Sequence, residues 1–166
     1  MMKSCVVVAL LGLMSLSLAG QTPKYGVTVT TEKNVDYAKF KTYTWTKGQP
    51  SAVTSIDAQI VAAVDRELAA LGMTKATSGH GDVLLAYYSL TRTDVDLKAK
   101  ENANGTRPQY SVGTLVVALL DPGNRKRLLR LRADKPINTQ PAELEAAINA
   151  VVKELFEKYP TRTANK

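Results

Sequence analysis

The side chains that most often carry catalysis are sparse in this 166-residue chain. Its only histidine, His80, lies in Ser78-Gly-His-Gly-Asp82, where a serine, an imidazole and a carboxylate sit close together. That grouping invites a nucleophile, base and acid reading. The spacing argues against it, because triad members converge from separate parts of a fold and the nucleophile needs a strained turn such as Gly-x-Ser-x-Gly. His80 is expected to be a solvated loop residue, and no catalytic residue is assigned.

Metal chemistry is poorly supplied. Zinc needs three or four nitrogen or sulfur ligands, against one histidine and one cysteine, Cys5. Asp94 and Asp96 could contribute oxygens to calcium, but Asp94-Val-Asp-Leu-Lys98 lacks the glycine turn and closing glutamate of a calcium loop, and Arg92 and Lys98 would repel the ion. No glycine-rich phosphate loop is present. No metal or cofactor is expected. An enzyme built on carboxylates would have to draw Asp82, Asp94 and Asp121 together from strand ends and loops, and their separation would decide its chemistry.

The first residues bear on where any chemistry would take place. Lys3, the apolar run from Val6 to Leu13, and Ser17-Leu-Ala19 have the pattern of a signal peptide, with cleavage expected after Ala19. An uncleaved anchor is the alternative, although the apolar run is shorter than the ~20 residues that span a bilayer. Cleavage would remove Cys5 and leave a thiol-free protein, periplasmic or secreted, that needs no disulfide. Gln21 follows Leu18-Ala-Gly20 where a lipoprotein would have cysteine, so no acyl anchor is expected, and after cleavage no transmembrane span is expected either. Residues 20–166 are of ordinary single-domain size. The net charge of +7 drops to +6 without Lys3, the leader's only charged side chain. That excess suits an anionic or amphipathic envelope partner, protein or lipid, or serves solubility alone. Export argues against nucleic acid, which Arg125-Lys-Arg127 with Arg130 and Arg132 would otherwise suit.

Two helices and five strands are expected to hold these groups. Val27 and Val29 alternate with threonines as a first strand does, and residues 37–45 are aromatic and threonine-rich enough for a second. Ile56, Ile60, Ala63, Val64, Leu68 and Leu71 recur at helical spacing, which predicts a helix over 55–71 capped by Thr54 or Ser55 and stopped by Gly72. A second stripe, from Leu144 to Tyr159, opens near Pro141 and ends at Pro160. Between the helices three strands are expected, over 82–93, 110–120 and 126–133, with a tight turn at Asp121-Pro-Gly-Asn124. Val95 and Leu97 extend the first hairpin towards a tip near 102–108. The order β-β-α-β-β-β-α predicts an α+β two-layer sandwich, a mainly antiparallel sheet with both amphipathic helices on one face.

Several segments together resemble the domain of unknown function 4136 (DUF4136) family of bacterial envelope proteins. They are Phe40-Lys-Thr-Tyr-Thr-Trp45, Leu71-Gly-Met73, Asp82-Val-Leu-Leu-Ala-Tyr-Tyr88 and Gly113-Thr-Leu-Val-Val-Ala-Leu-Leu-Asp-Pro122, within a match running from about Val27 to Tyr159. The chain departs from that family at Leu129-Arg-Leu-Arg132, where a Trp-x-Gly is common, and in lacking the lipobox cysteine. The resemblance implies an α+β envelope protein and transfers no catalytic residue.

Parity along the strands yields a candidate binding surface. With short turns, Leu84, Ala86, Tyr88 and Leu90 share a face with Val112, Val116, Ala118, Leu120, Leu129 and Leu131, which is taken as the helix side. The helix-free face then collects Val83, Leu85, Tyr87, Leu115, Val117, Leu119 and Leu128 with Lys126, Arg130 and Arg132. Such a face would suit a non-catalytic binding or assembly module, through Tyr87, Leu115, Val117, Leu119, Leu128, Lys126, Arg130 and Arg132. Cover by the chain itself is the alternative.

Overall fold

The computed structural model describes residues 25–137 and 140–163, so the expected leader over 1–19 lies outside the described residues. Six strands, β1 (Gly26–Thr31), β2 (Thr42–Trp45), β3 (Thr74–Lys75), β4 (Val83–Val95), β5 (Gln109–Leu120) and β6 (Arg127–Pro136), form one sheet in the order β1-β6-β5-β4-β2-β3. Helix α1 (Thr54–Ala70) and helix α2 (Leu144–Glu157) cover one face of it, and a last turn, α3 (Pro160–Thr163), follows.

The α+β class is as expected, but the sheet is mixed and has one strand more than the predicted order. β2 runs parallel to both β3 and β4. The chain leaves β2, crosses the face as α1, and re-enters in the same direction, which is what a helical crossover imposes. β3 escaped prediction because two residues carry no periodicity. The expected strand over 37–45 is also shortened to its second half. Asp36 accepts from Ala38 N at 3.1 Å, winding Tyr37–Lys39 into a 3-10 turn, and the Tyr37 hydroxyl donates to Leu128 O at 2.7 Å. Side-chain bonds of this kind compete with strand pairing.

Helix α1 begins one residue earlier than predicted, with Val53 rather than Thr54 or Ser55 at the cap position and no side-chain cap. The Ser51 hydroxyl accepts from Val53 N at 3.2 Å and turns the chain before Thr54 is reached. The helix closes where Gly72 adopts φ +78; Gly72 N then donates to Ala69 O and Met73 N to Leu68 O, a Schellman ending. Pro160 does more than end α2, since it opens α3 at a first-turn position where its missing N–H costs nothing.

Ile60, Ala63, Val64 and Leu68 of α1 and Val152, Leu155 and Phe156 of α2 are buried in one cluster with Val83, Leu85, Val117, Leu119, Leu129 and Leu131 of the sheet. Each fully buried valine or leucine contributes about 1.5–3 kcal/mol. Two acids fix how α1 sits on the sheet. Asp65 accepts from the Tyr43 hydroxyl at 2.7 Å and from Trp45 Nε1 at 2.8 Å, and Asp57 accepts from the Tyr87 hydroxyl. Burial, reinforced by the bond to Asp57, pushes the Tyr87 hydroxyl up to about 12.

Candidate functional site

The long strands β4, β5 and β6 carry the residues singled out in the sequence, and their register places them differently from the expectation. β4 and β5 pair Leu85 with Leu119 and Tyr87 with Val117, while β5 and β6 pair Val117 with Leu131 and Leu119 with Leu129. All of these belong to the core under the helices. Tyr87, Val117 and Leu119 are therefore not on the helix-free face: they are 5%, 0% and 0% exposed beneath α1 and α2. Leu115 is half-buried on the same side.

The eight predicted residues are also not brought together. The register shifts between Leu119 and Leu120: Leu120 pairs with Arg127, but Leu119 pairs with Leu129, so Leu128 is an extra residue in β6. A one-residue bulge sends every later side chain to the opposite face. Arg130 and Arg132 consequently part from Leu115, Val117 and Leu119 and lie opposite Ala118 and Val116 on the helix-free side. Leu128 packs half-buried against the core, and Lys126 sits in the exposed turn, 3.1 Å from Glu32.

The helix-free face has an apolar part, Leu84, Ala86, Val116 and Ala118, that is itself 0–7% exposed, and a charged part that sequence reasoning missed. At its centre is Asp134, 6% exposed. Its carboxylate accepts from Arg132 Nε at 2.6 Å and Nη2 at 2.8 Å, from Arg92 Nη1 at 2.9 Å, and from the Thr114 hydroxyl at 2.6 Å. Arg92 Nε also reaches Asp94 at 2.9 Å, and the Tyr25 hydroxyl donates to Asp94 at 3.0 Å and touches the Tyr110 hydroxyl. Arg132 holds the Asp134 carboxyl well below the usual carboxylate range, and Arg92 does the same, less strongly, to Asp94. The signal was available. Leu84, Ala86, Tyr88 and Leu90 continue in the same parity to Arg92 and Asp94, side chains too polar to lie under the helices.

Arg130 differs from its neighbours. It is half-buried, lies beside Thr30 of β1 in the register, and makes no hydrogen bond or ion pair among the described residues. Burial, then the charges of Arg132 and Arg127, depress its pKa.

The other chemistry-bearing residues are dispersed. Asp82 accepts from the amides of Lys41 and Thr42 at 2.8 and 2.9 Å, bonds that lower its pKa. Asp121 accepts from the amides of Gly123 and Asn124 in the predicted turn, and Asp94 stays in the arginine network. Neither Asp82 nor Asp94 has the raised pKa of a general acid. His80 is exposed. Among the described residues no cluster of three His, Cys, Asp or Glu side chains is placed to hold a metal, and no helix is long and apolar enough to cross a membrane. On the helix side, a cavity of about 210 Å³ opens between Ile56 and Ile60 of α1, Ile148 and Val151 of α2, and Leu115 of β5.

Comparison with curated proteins gives no match. Among solved structures, a PDZ domain protein from Parabacteroides distasonis is similar at TM-score 0.58 and 15% identity, over 82% of this chain and 35% of that one, so this chain spans about a third of that protein's length. The PelC dodecamer from Paraburkholderia phytofirmans is similar at TM-score 0.52 and 9% identity, over 80% of this chain and 94% of that one. An uncharacterized lipoprotein B from Nitrosomonas europaea is similar at TM-score 0.42 and 13% identity, over 75% and 85%. At such identities the first two show a shared fold and nothing further. The family model described as a domain of unknown function, DUF4136, matches residues 27–161, most of the chain, and the protein belongs to that family.

Proposed function

We propose that the protein is a non-catalytic binding module of the cell envelope, periplasmic or secreted after loss of residues 1–19, whose helix-free sheet face holds an anionic headgroup through Arg130. The observation that carries this reading is the uneven treatment of three arginines on that face. Arg92 and Arg132 are paired with Asp94 and Asp134, whereas Arg130 is half-buried, makes no ion pair among the described residues, and has Asp134 only as a counter-charge that burial and the charges of Arg132 and Arg127 outweigh. A partly desolvated guanidinium without a hydrogen-bonded counter-charge is unfavourable, and a phosphate that accepts two parallel N–H bonds reduces the penalty. Exposed Thr28 and Thr30 of β1, paired with Arg132 and Arg130 of β6, add hydroxyl donors beside the same spot. The net positive charge would draw the protein towards an anionic surface. Tyr87, Val117 and Leu119 take no part in this reading, because they belong to the core.

Co-sedimentation with vesicles tests this reading. The protein is expected to bind vesicles containing phosphatidylglycerol and not those of phosphatidylcholine alone, and Arg130→Gln is expected to lose most of that binding while melting as the wild type does. Equal binding by the two proteins would remove Arg130 from the site, and no binding by the wild type would end the headgroup reading.

A further inference from the structure

The sheet has two edges, and only one of them is blunted. β3 closes one side after two residues, the second being Lys75, a short and charged edge of the kind that resists pairing. β1 forms the other edge over six residues, Gly26-Val-Thr-Val-Thr-Thr31, with no charge, no proline and no break in its register with β6. Its outward backbone groups follow from one bond. Glu32 N donates to Leu128 O at 2.8 Å. By antiparallel alternation Thr30, Thr28 and Gly26 are then the residues hydrogen-bonded to β6, so Val27, Val29 and Thr31 turn their N–H and C=O away from the sheet. Among the described residues nothing pairs with those groups. Val29 is 36% exposed, and Thr28, Thr30 and Thr31 are exposed as well.

We propose that β1 pairs antiparallel with β1 of a second copy of this chain, about a two-fold axis at Val29, so that two six-stranded sheets become one continuous sheet. The outward positions are symmetric about their centre. Val29 meets the second copy's Val29, and Val27 meets the second copy's Thr31, so every outward N–H faces an outward C=O in both directions. No like charges oppose one another along the joint, because the strand is uncharged and Glu32 at its end is already paired with Lys126. Arg130 and Arg132 lie one strand in. At ~4.8 Å per strand they stand ~14 Å from their counterparts, beyond the ~8 Å screening length at physiological salt. A closed two-fold pairing also leaves no free end for further growth from β1. The inference does not rest on the headgroup reading, although it would place two Arg130 sites on one face.

Sedimentation equilibrium of the purified protein without lipid, from about 1 µM to about 1 mM, tests it. A reversible dimer is expected. Val29→Pro removes one outward N–H and leaves the bonds to β6 untouched; Val29→Lys keeps the backbone and sets two ammonium groups against each other at the axis. Each is expected to raise the dimer dissociation constant at least about tenfold with unchanged far-ultraviolet circular dichroism. A monomer at every concentration overturns the proposal, as does a dimer that a folded Val29→Lys variant leaves as tight as the wild type. Should the proline variant fail to fold, the lysine variant decides alone. Arg130→Gln is expected to dimerise normally, which separates this result from the vesicle experiment.

Discussion

Replacing Asp134 with asparagine keeps the side chain's shape and deletes the charge on which the helix-free network converges. The magnitude follows from its contacts. Arg132 supplies two hydrogen bonds, Nε at 2.6 Å and Nη2 at 2.8 Å, to a carboxylate whose side chain is 8% exposed. Bonds to charged groups contribute about 1.5–3 kcal/mol each when sheltered. The Arg132 side chain is 35% exposed, however, and solvent screening and side-chain entropy reduce such a pair by half or more. About 2 kcal/mol is left for the Arg132 pair, and the solvated Arg92 contact is given no share. Asparagine also turns an N–H towards a guanidinium, which sharpens the loss. In a domain of this size about 2 kcal/mol lowers Tm by about 6 °C. Urea unfolding, followed through the only tryptophan, Trp45, and through circular dichroism, should show the midpoint falling with unchanged slope. Acid supplies the second arm. Arg132 depresses the folded-state pKa of Asp134, so its stabilisation is complete above the unfolded value near ~4 and is lost as pH falls through the folded value. Wild type and variant should thus converge in stability on acidification below about pH 4. A loss under about 0.5 kcal/mol at neutral pH, or a gap that stays constant into acid, would refute an electrostatic role for Asp134. The same variant frees two arginines, and under the proposed function it binds anionic vesicles more tightly although it is less stable.

Three further substitutions probe the packing that supports this face. The Tyr159 hydroxyl is buried without a partner among the described residues, and burial pushes it up to about 12. Tyr159→Phe is expected to leave stability unchanged or raise it by up to about 1 kcal/mol in thermal denaturation, and a comparable loss would reveal a partner for the hydroxyl. Asp65→Ala strands the Tyr43 hydroxyl and Trp45 Nε1 and should cost about 2–3 kcal/mol with a shift in Trp45 emission; an unaltered spectrum would show that the indole is not held there. At Gly48 an added Cβ would stand 2.1 Å from the Tyr87 carbonyl oxygen, a backbone atom of β4. Gly48→Ala should therefore cost about 3 kcal/mol in urea unfolding, and a loss under about 1 kcal/mol would mean that the Lys47–Gln49 segment moves aside freely.

Local patterns were legible in the sequence, and decisions made across the sheet were not. The stripes through Leu68 and through Leu155 needed only helical spacing, and Gly72 and the Asp121 turn needed only backbone chemistry, so those elements stand nearly where expected. Which face of the sheet the helices would take was a different kind of question. Over 83–88 both parities of β4 are apolar, and only farther along, at Arg92 and Asp94, does one of them become charged. Parity followed to Arg92 and Asp94 at the strand's end leaves Tyr87 and Leu85 on the other face, under the helices. The arginines failed for a separate reason. Arg125 adopts φ +58, a left-handed conformation unusual outside glycine, and beyond it the bulge at Leu128 shifts β6 by one residue. Beyond that bulge leucine and arginine alternate through Leu129-Arg-Leu-Arg132, so a one-residue slip exchanges the two sets while the alternation itself stays the same. β1 shows the same limit at longer range. Its alternation marked a strand, but its pairing with β6 joins residues about a hundred positions apart, and periodicity within β1 holds no information on what lies beside it. The edge this pairing leaves open becomes visible only once all six strands are in order, which is why the site for a second copy had to be read from the sheet.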